Sequence, residues 1–168
     1  MRILIIEDNK EKKDRIINLL DTKYNHKLDM DISTNLESAK EKIEKFEFDL
    51  YILDLSIKSG NSEATIDNGL FLFDILIKKD KSVIVYSSVD DLQKRNKEDI
   101  FVQYNTPFID YKSSQTDWEI ILLKEIDNII NQKKIILNDI SYDIAIMTAL
   151  EDEFDYMLKA SKLVWFKN

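Results

Sequence analysis

The sequence predicts an α/β fold in which helices cover both faces of a doubly wound, parallel sheet of five strands. Two observations carry this prediction. Short apolar runs alternate five times with helical patterns along residues 1–133, and such alternation is typical of parallel sheets. The runs at about 49–53 and 82–87 also lack the polar alternation of a half-exposed strand, which indicates burial on both faces.

The amino-terminal part supplies three predicted strands and two predicted helices. Residues 2–6 form a first apolar strand, and the charged segment 10–20 carries Ile and Leu at helical spacing. Residues 27–33 alternate apolar and polar side chains, as a half-exposed edge strand does. A second amphipathic helix is predicted at about 34–46, directly before the apolar strand at 49–53.

The alternation continues after that strand. The polar stretch 56–69 holds both glycines of the chain and predicts a long loop. The strongly apolar segment 70–79 predicts a third helix, with a strand as the alternative, and 82–87 predicts a fourth strand. Three further elements are expected: a weakly amphipathic helix at 90–100, a short strand at 108–112 and a strong helix from Ser114 or Thr116 to about Lys133.

The amino-acid composition argues against several functional classes. The net charge of −8 and the pI of about 4.8 argue against a nucleic-acid surface. No apolar run reaches the roughly 20 residues that span a bilayer, and the start is too quickly acidic for a signal peptide. Cysteine is absent, and His26 is the single histidine. We therefore expect a cytoplasmic protein whose chemistry depends on carboxylates.

Polar residues stand where four of the predicted strands end. Glu7 and Asp8 follow the first strand, Asp54 the third, Ser87 the fourth and Lys112 the fifth. In open α/β sheets the ligand crevice lies at the carboxyl ends of the strands. Clustered carboxylates repel one another unless a cation lies among them, and Mg²⁺ prefers carboxylate oxygens. Asp54 could then act as a nucleophile toward a phosphoryl group, although an aspartate that merely caps its loop is the simpler alternative.

With these residues in this order, the segment 1–133 resembles the receiver domain of two-component response regulators, a flavodoxin-like fold. The resemblance implies an aspartate that accepts a phosphoryl group from a histidine kinase or a phosphotransfer protein, with Mg²⁺ as cofactor. It implies these roles: Asp54 as acceptor, Ser87 and Lys112 as its catalytic partners, and Glu7, Asp8, Asp54 and the backbone carbonyl of Ser56 as metal ligands.

Three positions depart from the pattern of that family. Ser113 stands where a cis-proline usually follows the lysine, and Ile109 stands where an aromatic switch residue is common. Gly69, which matches the glycine at the third helix, lies unusually far beyond Asp54, so the intervening loop is expanded. These departures leave the usual relay of the phosphorylation signal in doubt.

A second resemblance covers residues 142–168. The run from Asp143 to Phe154 resembles the opening of nucleoside phosphorylase and methylthioadenosine nucleosidase domains, in which Glu153 would match the general acid. The alternative is an acidic helix start that complements the helix dipole. We expect 134–141 to be a linker and 142–168 to be a fragment of a second domain, whose exposed apolar residues favour a homo-oligomer.

The resulting hypothesis is a Mg²⁺-dependent receiver that regulates an attached carboxyl-terminal domain. One alternative is a receiver-like interaction domain that does not switch, amino-terminal to a nucleoside-processing enzyme. Another is a phosphatase with Asp54 as covalent nucleophile, which Ser56 disfavours because such enzymes carry an acid at that position. Beyond self-phosphorylation and dephosphorylation, the 168 residues are not expected to be an enzyme.

Overall fold

The computed structural model describes residues 1–88, 99–112 and 114–134. Residues Met1–Ile126 form one compact unit, and within Asp127–Asn168 the described part is helical residues 127–134. The strands are β1 (Arg2–Ile6), β2 (Asp29–Ser33), β3 (Leu50–Leu53), β4 (Val83–Ser87) and β5 (Phe108–Asp110). The helices are α1 (Lys10–Tyr24), α2 (Leu36–Lys45), α3 (Ile66–Lys78), α4 (Asp99–Gln103) and α5 (117–134).

The five strands form one parallel sheet in the order β2-β1-β3-β4-β5. β1, β3 and β4 are therefore neighbours in the middle of the sheet, and β2 lies at one edge, as the sequence predicts. All four residues of β3 and all five of β4 are buried. The doubly wound α/β fold is confirmed.

Alternating strand residues supply the two halves of the core. One cluster joins Leu4 and Leu53 of the sheet to residues of α2, α3 and α4. Strand neighbours point to opposite faces, and the second face carries Tyr86, whose ring centroid lies 5.2 Å from that of Trp118 in α5. Ile16 of α1 is fully buried as well. Helices thus cover both faces, which explains the continuous apolar runs of the central strands.

Two helices extend beyond their predicted bounds. α1 continues to Tyr24 instead of ending near residue 20, because its last turn closes at Asn25, which adopts a left-handed conformation with φ 51°. α3 begins at Ile66 instead of residue 70. The prediction of loop at 66–69 is therefore wrong, since Ile66 is buried and anchors the helix start in the core.

The loop between β3 and α3 is ordered by its own hydrogen bonds. Ile57 and Thr65 form an antiparallel bridge, in which Thr65 N donates to Ile57 O at 3.1 Å. Gly69 N donates to Leu55 O at 3.1 Å. A Cβ atom on Gly69 would lie 2.2 Å from Leu55 Cα, so α3 can approach the loop this closely only with glycine there.

Several predicted segments fall outside the described residues. They include Ser113, most of the helix predicted at 90–100, the linker from residue 135 onward, and the second-domain fragment 142–168 with Glu153. Within the described ranges, none of the helices is long and apolar enough to cross a bilayer.

We expect Gly69→Ala to destabilise the protein by about 2–3 kcal/mol, because the added methyl group collides with backbone atoms that cannot move aside cheaply. Gly60→Ala is the matched control: its Cβ would meet open space, and its φ of 54° costs only about 1 kcal/mol. Urea denaturation of both variants measures the difference. Equal losses in the two variants would contradict the close approach of α3 to Leu55.

Candidate phosphoacceptor and metal site

The parallel register brings the polar strand ends together. Asp54 N donates to Ile6 O at 2.9 Å, so the pairing of β1 with β3 extends to the acidic residues. Glu7 N donates to Ser33 O at 2.9 Å on the other side of β1. Because these strands run in the same direction, Glu7, Asp8 and Asp54 all lie at the carboxyl edge of the sheet.

Three carboxylates form the centre of this site. One oxygen each from Glu7, Asp8 and Asp54 lies within 4.8 Å of the others. Glu7 is 1% exposed and Asp54 is 3% exposed. Buried carboxylates at this separation repel one another strongly when all are ionised. The site therefore needs positive charge among its oxygens.

Lys12 supplies positive charge from the first turn of α1. Its Nζ lies 2.6 Å from Asp54 Oδ2 and 2.9 Å from Glu7 Oε2. The helix start fixes this placement, since Asn9 caps α1 by accepting a hydrogen bond from Lys12 N at 3.1 Å. Asn9 N in turn donates to Glu7 Oε1 at 2.8 Å. Consecutive hydrogen bonds thus connect Glu7 at the end of β1, Asn9 at the cap and Lys12 in the first turn of α1.

Two aromatic rings lie close to the ammonium of Lys12. Lys12 Nζ lies 5.0 Å from the ring centroid of Tyr86 and 5.0 Å from that of Tyr111. These two rings contact each other and Trp118. A cation over an aromatic face is attracted by the ring quadrupole. The rings therefore add a favourable interaction with the ammonium to its contacts with Asp54 and Glu7.

Burial and mutual charge shift the acid–base properties of the cluster. Burial, together with the Asp54 carboxylate, raises the pKa of Glu7 to about 8, against the lowering effect of Lys12. Burial also raises the pKa of Asp8. Burial acts to lower the pKa of Lys12, but the Asp54 and Glu7 carboxylates outweigh it and raise that pKa overall. Lys12 is therefore a permanent cation at neutral pH.

The structure assembles most of the predicted site residues, with one exception. Ser87 is buried at the end of β4, and Ser56 N donates to Asp54 Oδ1 at 3.3 Å. Lys112 instead makes its ion pair with Asp110, 3.2 Å from Nζ to Oδ2, and its side chain is 57% exposed. Ile109 is buried at the position where the family often has an aromatic residue.

Lys12 was not among the predicted site residues. It stands in a run of charged residues, Lys10 to Lys13, that reads as the solvated face of an amphipathic helix. The sequence nevertheless contains a feature that points to Lys12. Lys12 lies four residues before Ile16, which begins the buried stripe of α1 with Leu20. A charged residue in register with an apolar helical stripe points toward the core.

Comparison with solved structures identifies the fold as that of response-regulator receiver domains. No protein-family model matches the sequence, and no curated protein matches it. The receiver domain of the Francisella response regulator 1452 is 14% identical with a TM-score of 0.53, over 79% of this chain and 98% of that one. The BeF3-activated amino-terminal receiver domain of Klebsiella pneumoniae RstA is 17% identical with a TM-score of 0.54, over 76% and 96%.

A longer protein contains the same fold. NtrX from Brucella abortus is 17% identical with a TM-score of 0.55, and the match covers 80% of this chain but 28% of NtrX. At these identities the likeness concerns the fold of the chain. The predicted receiver-like fold is thereby confirmed, and none of these comparisons bears on a nucleoside phosphorylase-like segment.

The raised pKa of Glu7 predicts a pH dependence of stability in metal-free buffer. Its pKa is about 8 in the folded chain against an ordinary value of 4.5, so the folded protein binds more protons between these values. Stability is then lost as pH rises through this window. We expect Glu7→Gln to reduce the loss between pH 5 and 8.5 by roughly 2–4 kcal/mol, measured by urea denaturation with a chelator present.

Glu41→Gln serves as the control for this measurement. Glu41 is exposed on α2, where Lys45 lowers its pKa, so its contribution changes below pH 4.5. The pH profile of this variant should match wild type above pH 5. A Glu7→Gln profile as steep as wild type would show that Glu7 titrates in its ordinary range.

Proposed function

We propose that this chain contains a two-component receiver domain that accepts a phosphoryl group on Asp54 with the help of Mg²⁺. The observation that carries the proposal is the position of Asp54: buried, at the carboxyl end of the central strand β3, and within 4.8 Å of two other carboxylate ligand atoms. The receiver fold supports the same conclusion. A histidine kinase or a phosphotransfer protein would be the phosphoryl donor.

The residues present fit a hard divalent cation. Asp8 Oδ2 is buried and has no hydrogen-bond partner among the described residues. The three carboxylates outnumber the single ammonium of Lys12, so the site retains unbalanced negative charge. Glu7, Asp8, Asp54 and the backbone carbonyl of Ser56 would hold the ion, which keeps several waters in such sites. When bound, Mg²⁺ neutralises negative charge on phosphoryl oxygens.

Two contacts of the Asp54 side chain support a role as nucleophile. Its Oδ2 contacts the Lys12 ammonium, and its Oδ1 accepts from Ser56 N. In the proposed step a carboxylate oxygen of Asp54 attacks phosphorus and forms an acyl phosphate. The bond between phosphorus and the donor nitrogen or oxygen breaks, and the leaving group takes a proton from solvent. The Ser87 hydroxyl, at the neighbouring strand end, is proposed to bind a phosphoryl oxygen.

A receiver-like interaction domain that does not switch is the second candidate. One observation favours it: Lys112, the lysine that the family resemblance assigns to the phosphoryl group, pairs with Asp110 and is largely exposed. In that case the acidic site would bind a cation, and no phosphoryl group would be transferred to Asp54. Phosphoryl transfer to Asp54 separates the two candidates.

The output of the receiver is proposed to lie in an attached domain. Residues 142–168 resemble the start of a nucleoside phosphorylase-like domain, and they lie outside the described residues. Under this proposal the segment from residue 134 to 141 links the two, and phosphorylation at Asp54 would regulate the attached domain. The apolar residues of segment 142–168 are also proposed to favour association of two copies.

We expect Asp8→Asn to weaken Mg²⁺ binding by more than about tenfold, because one unit charge next to a divalent ion is removed. The titration is followed by Trp118 fluorescence and by calorimetry at pH 8.5, which lies above the pKa of about 8 for Glu7. Asp74→Asn removes the same charge from an exposed ion pair on α3 and should leave the affinity unchanged. Equal Mg²⁺ affinities for wild type and Asp8→Asn would exclude Asp8 as a ligand.

We expect a small phosphodonor with Mg²⁺ to add one phosphoryl group to wild type and none to Asp54→Asn, since an amide cannot form the acyl phosphate. Intact-mass spectrometry measures the addition, and hydroxylamine should release it. Asp74→Asn should be modified as wild type is. Modification of Asp54→Asn to the same extent as wild type would favour the interaction domain.

A further inference from the structure

We propose that Lys12 on α1, rather than Lys112 after β5, supplies the ammonium that binds the phosphoryl group on Asp54. The inference rests on the proposed function and names a residue that the family resemblance does not assign. It makes α1, the helix directly after β1, part of the catalytic site. Lys112 becomes a surface residue without a role in phosphoryl binding.

The position of the Lys12 ammonium is the first argument. Its Nζ lies 2.6 Å from Asp54 Oδ2, a direct charge-assisted hydrogen bond to the reacting carboxylate. The same Nζ lies 2.9 Å from Glu7 Oε2, so the ammonium bridges two of the three carboxylates. The Lys12 side chain is 12% exposed, which leaves little water to weaken these interactions.

The surroundings of Lys12 are the second argument. The rings of Tyr86 and Tyr111 each lie 5.0 Å from Nζ, and Tyr86 is fully buried. The backbone of Lys12 is held by the Asn9 cap at the start of α1. Lys12 is thus held both at its backbone and at its ammonium. The ammonium is therefore oriented before a phosphoryl group arrives, so little conformational entropy is lost on binding.

The contacts of Lys112 are the third argument. Its side chain is 57% exposed, and its Nζ is 3.2 Å from Asp110 Oδ2. An exposed pair of this kind contributes little and is screened by salt. To serve Asp54, Lys112 would have to leave Asp110 and enter a site where another ammonium already contacts Asp54.

The chemistry of the acceptor explains why the ammonium is needed. Transfer replaces the single negative charge of the Asp54 carboxylate with a phosphoryl group of about −2 charge on an acyl linkage. The added charge develops on phosphoryl oxygens beside the atom that Lys12 Nζ already contacts. A shift of the ammonium from the carboxylate to a phosphoryl oxygen keeps its hydrogen bond and balances part of the new charge.

The test compares Lys12→Met with Lys112→Met in binding of beryllofluoride, an analogue of the phosphoryl group, at saturating Mg²⁺ and pH 8.5. Methionine keeps an unbranched stem against Tyr86 and Tyr111 but carries no charge. We expect Lys12→Met to weaken beryllofluoride binding at least about tenfold, the loss of one hydrogen bond to a charged group. Lys112→Met should remain within about twofold of wild type, as measured by calorimetry.

Mg²⁺ binding without beryllofluoride is the internal control. Lys12→Met keeps all three carboxylates and removes a neighbouring cation, so its Mg²⁺ affinity should equal or exceed that of wild type. Circular dichroism and urea denaturation establish that the variant is folded. If Lys12→Met does not fold, Lys12→Gln, which retains polar capacity at this position, takes its place with the same expected loss of beryllofluoride binding.

Each outcome decides the proposal. Loss of binding in Lys112→Met with retention in Lys12→Met would overturn the assignment of Lys12 and leave the receiver function intact. Equal effects in the two variants would overturn it as well. A wild type that binds Mg²⁺ but no beryllofluoride would overturn both the proposed receiver function and the role of Lys12, a result distinct from the other two.

Discussion

The contact between the Lys12 ammonium and the buried carboxylates of Glu7 and Asp54 is the interaction on which the functional edge of this domain depends. Two carboxylates that are almost fully buried would repel each other without a cation between them. The lysine relieves that repulsion, and its aromatic surroundings and the Asn9 cap keep it in place. The chain thus carries part of the required positive charge within its own first helix.

The same contact connects the site to the packing of the helices on one face of the sheet. Tyr86 and Tyr111 contact Lys12 on one side and Trp118 on the other. Arg15, one turn after Lys12, lies over Trp118 at 4.8 Å and forms an ion pair with Glu119 at 2.7 Å. These side chains form one continuous set of contacts between Asp54, α1 and the start of α5.

These aromatic contacts differ from the pattern that the receiver resemblance implies. Ile109 stands where an aromatic switch residue is common, and it is buried and apolar. Aromatic side chains are instead present at Tyr86 and Tyr111, and each ring centroid lies 5.0 Å from the ammonium of Lys12.

The amino-acid sequence by itself determined the parallel sheet, its half-exposed edge strand and the carboxylates at the ends of its strands. An apolar run such as 50–53 consists of consecutive residues, so the sequence alone predicts the strand. Asp54 directly follows this run, so the sequence also predicts that its carboxylate lies at the strand end. Only the tertiary structure decided which lysine contacts Asp54. Lys12 and Lys112 both stand near strand ends, and the choice depends on the rotation of α1 about its axis and on the rings that line its inner face. Those are long-range packing relations, which periodicity along the chain does not specify.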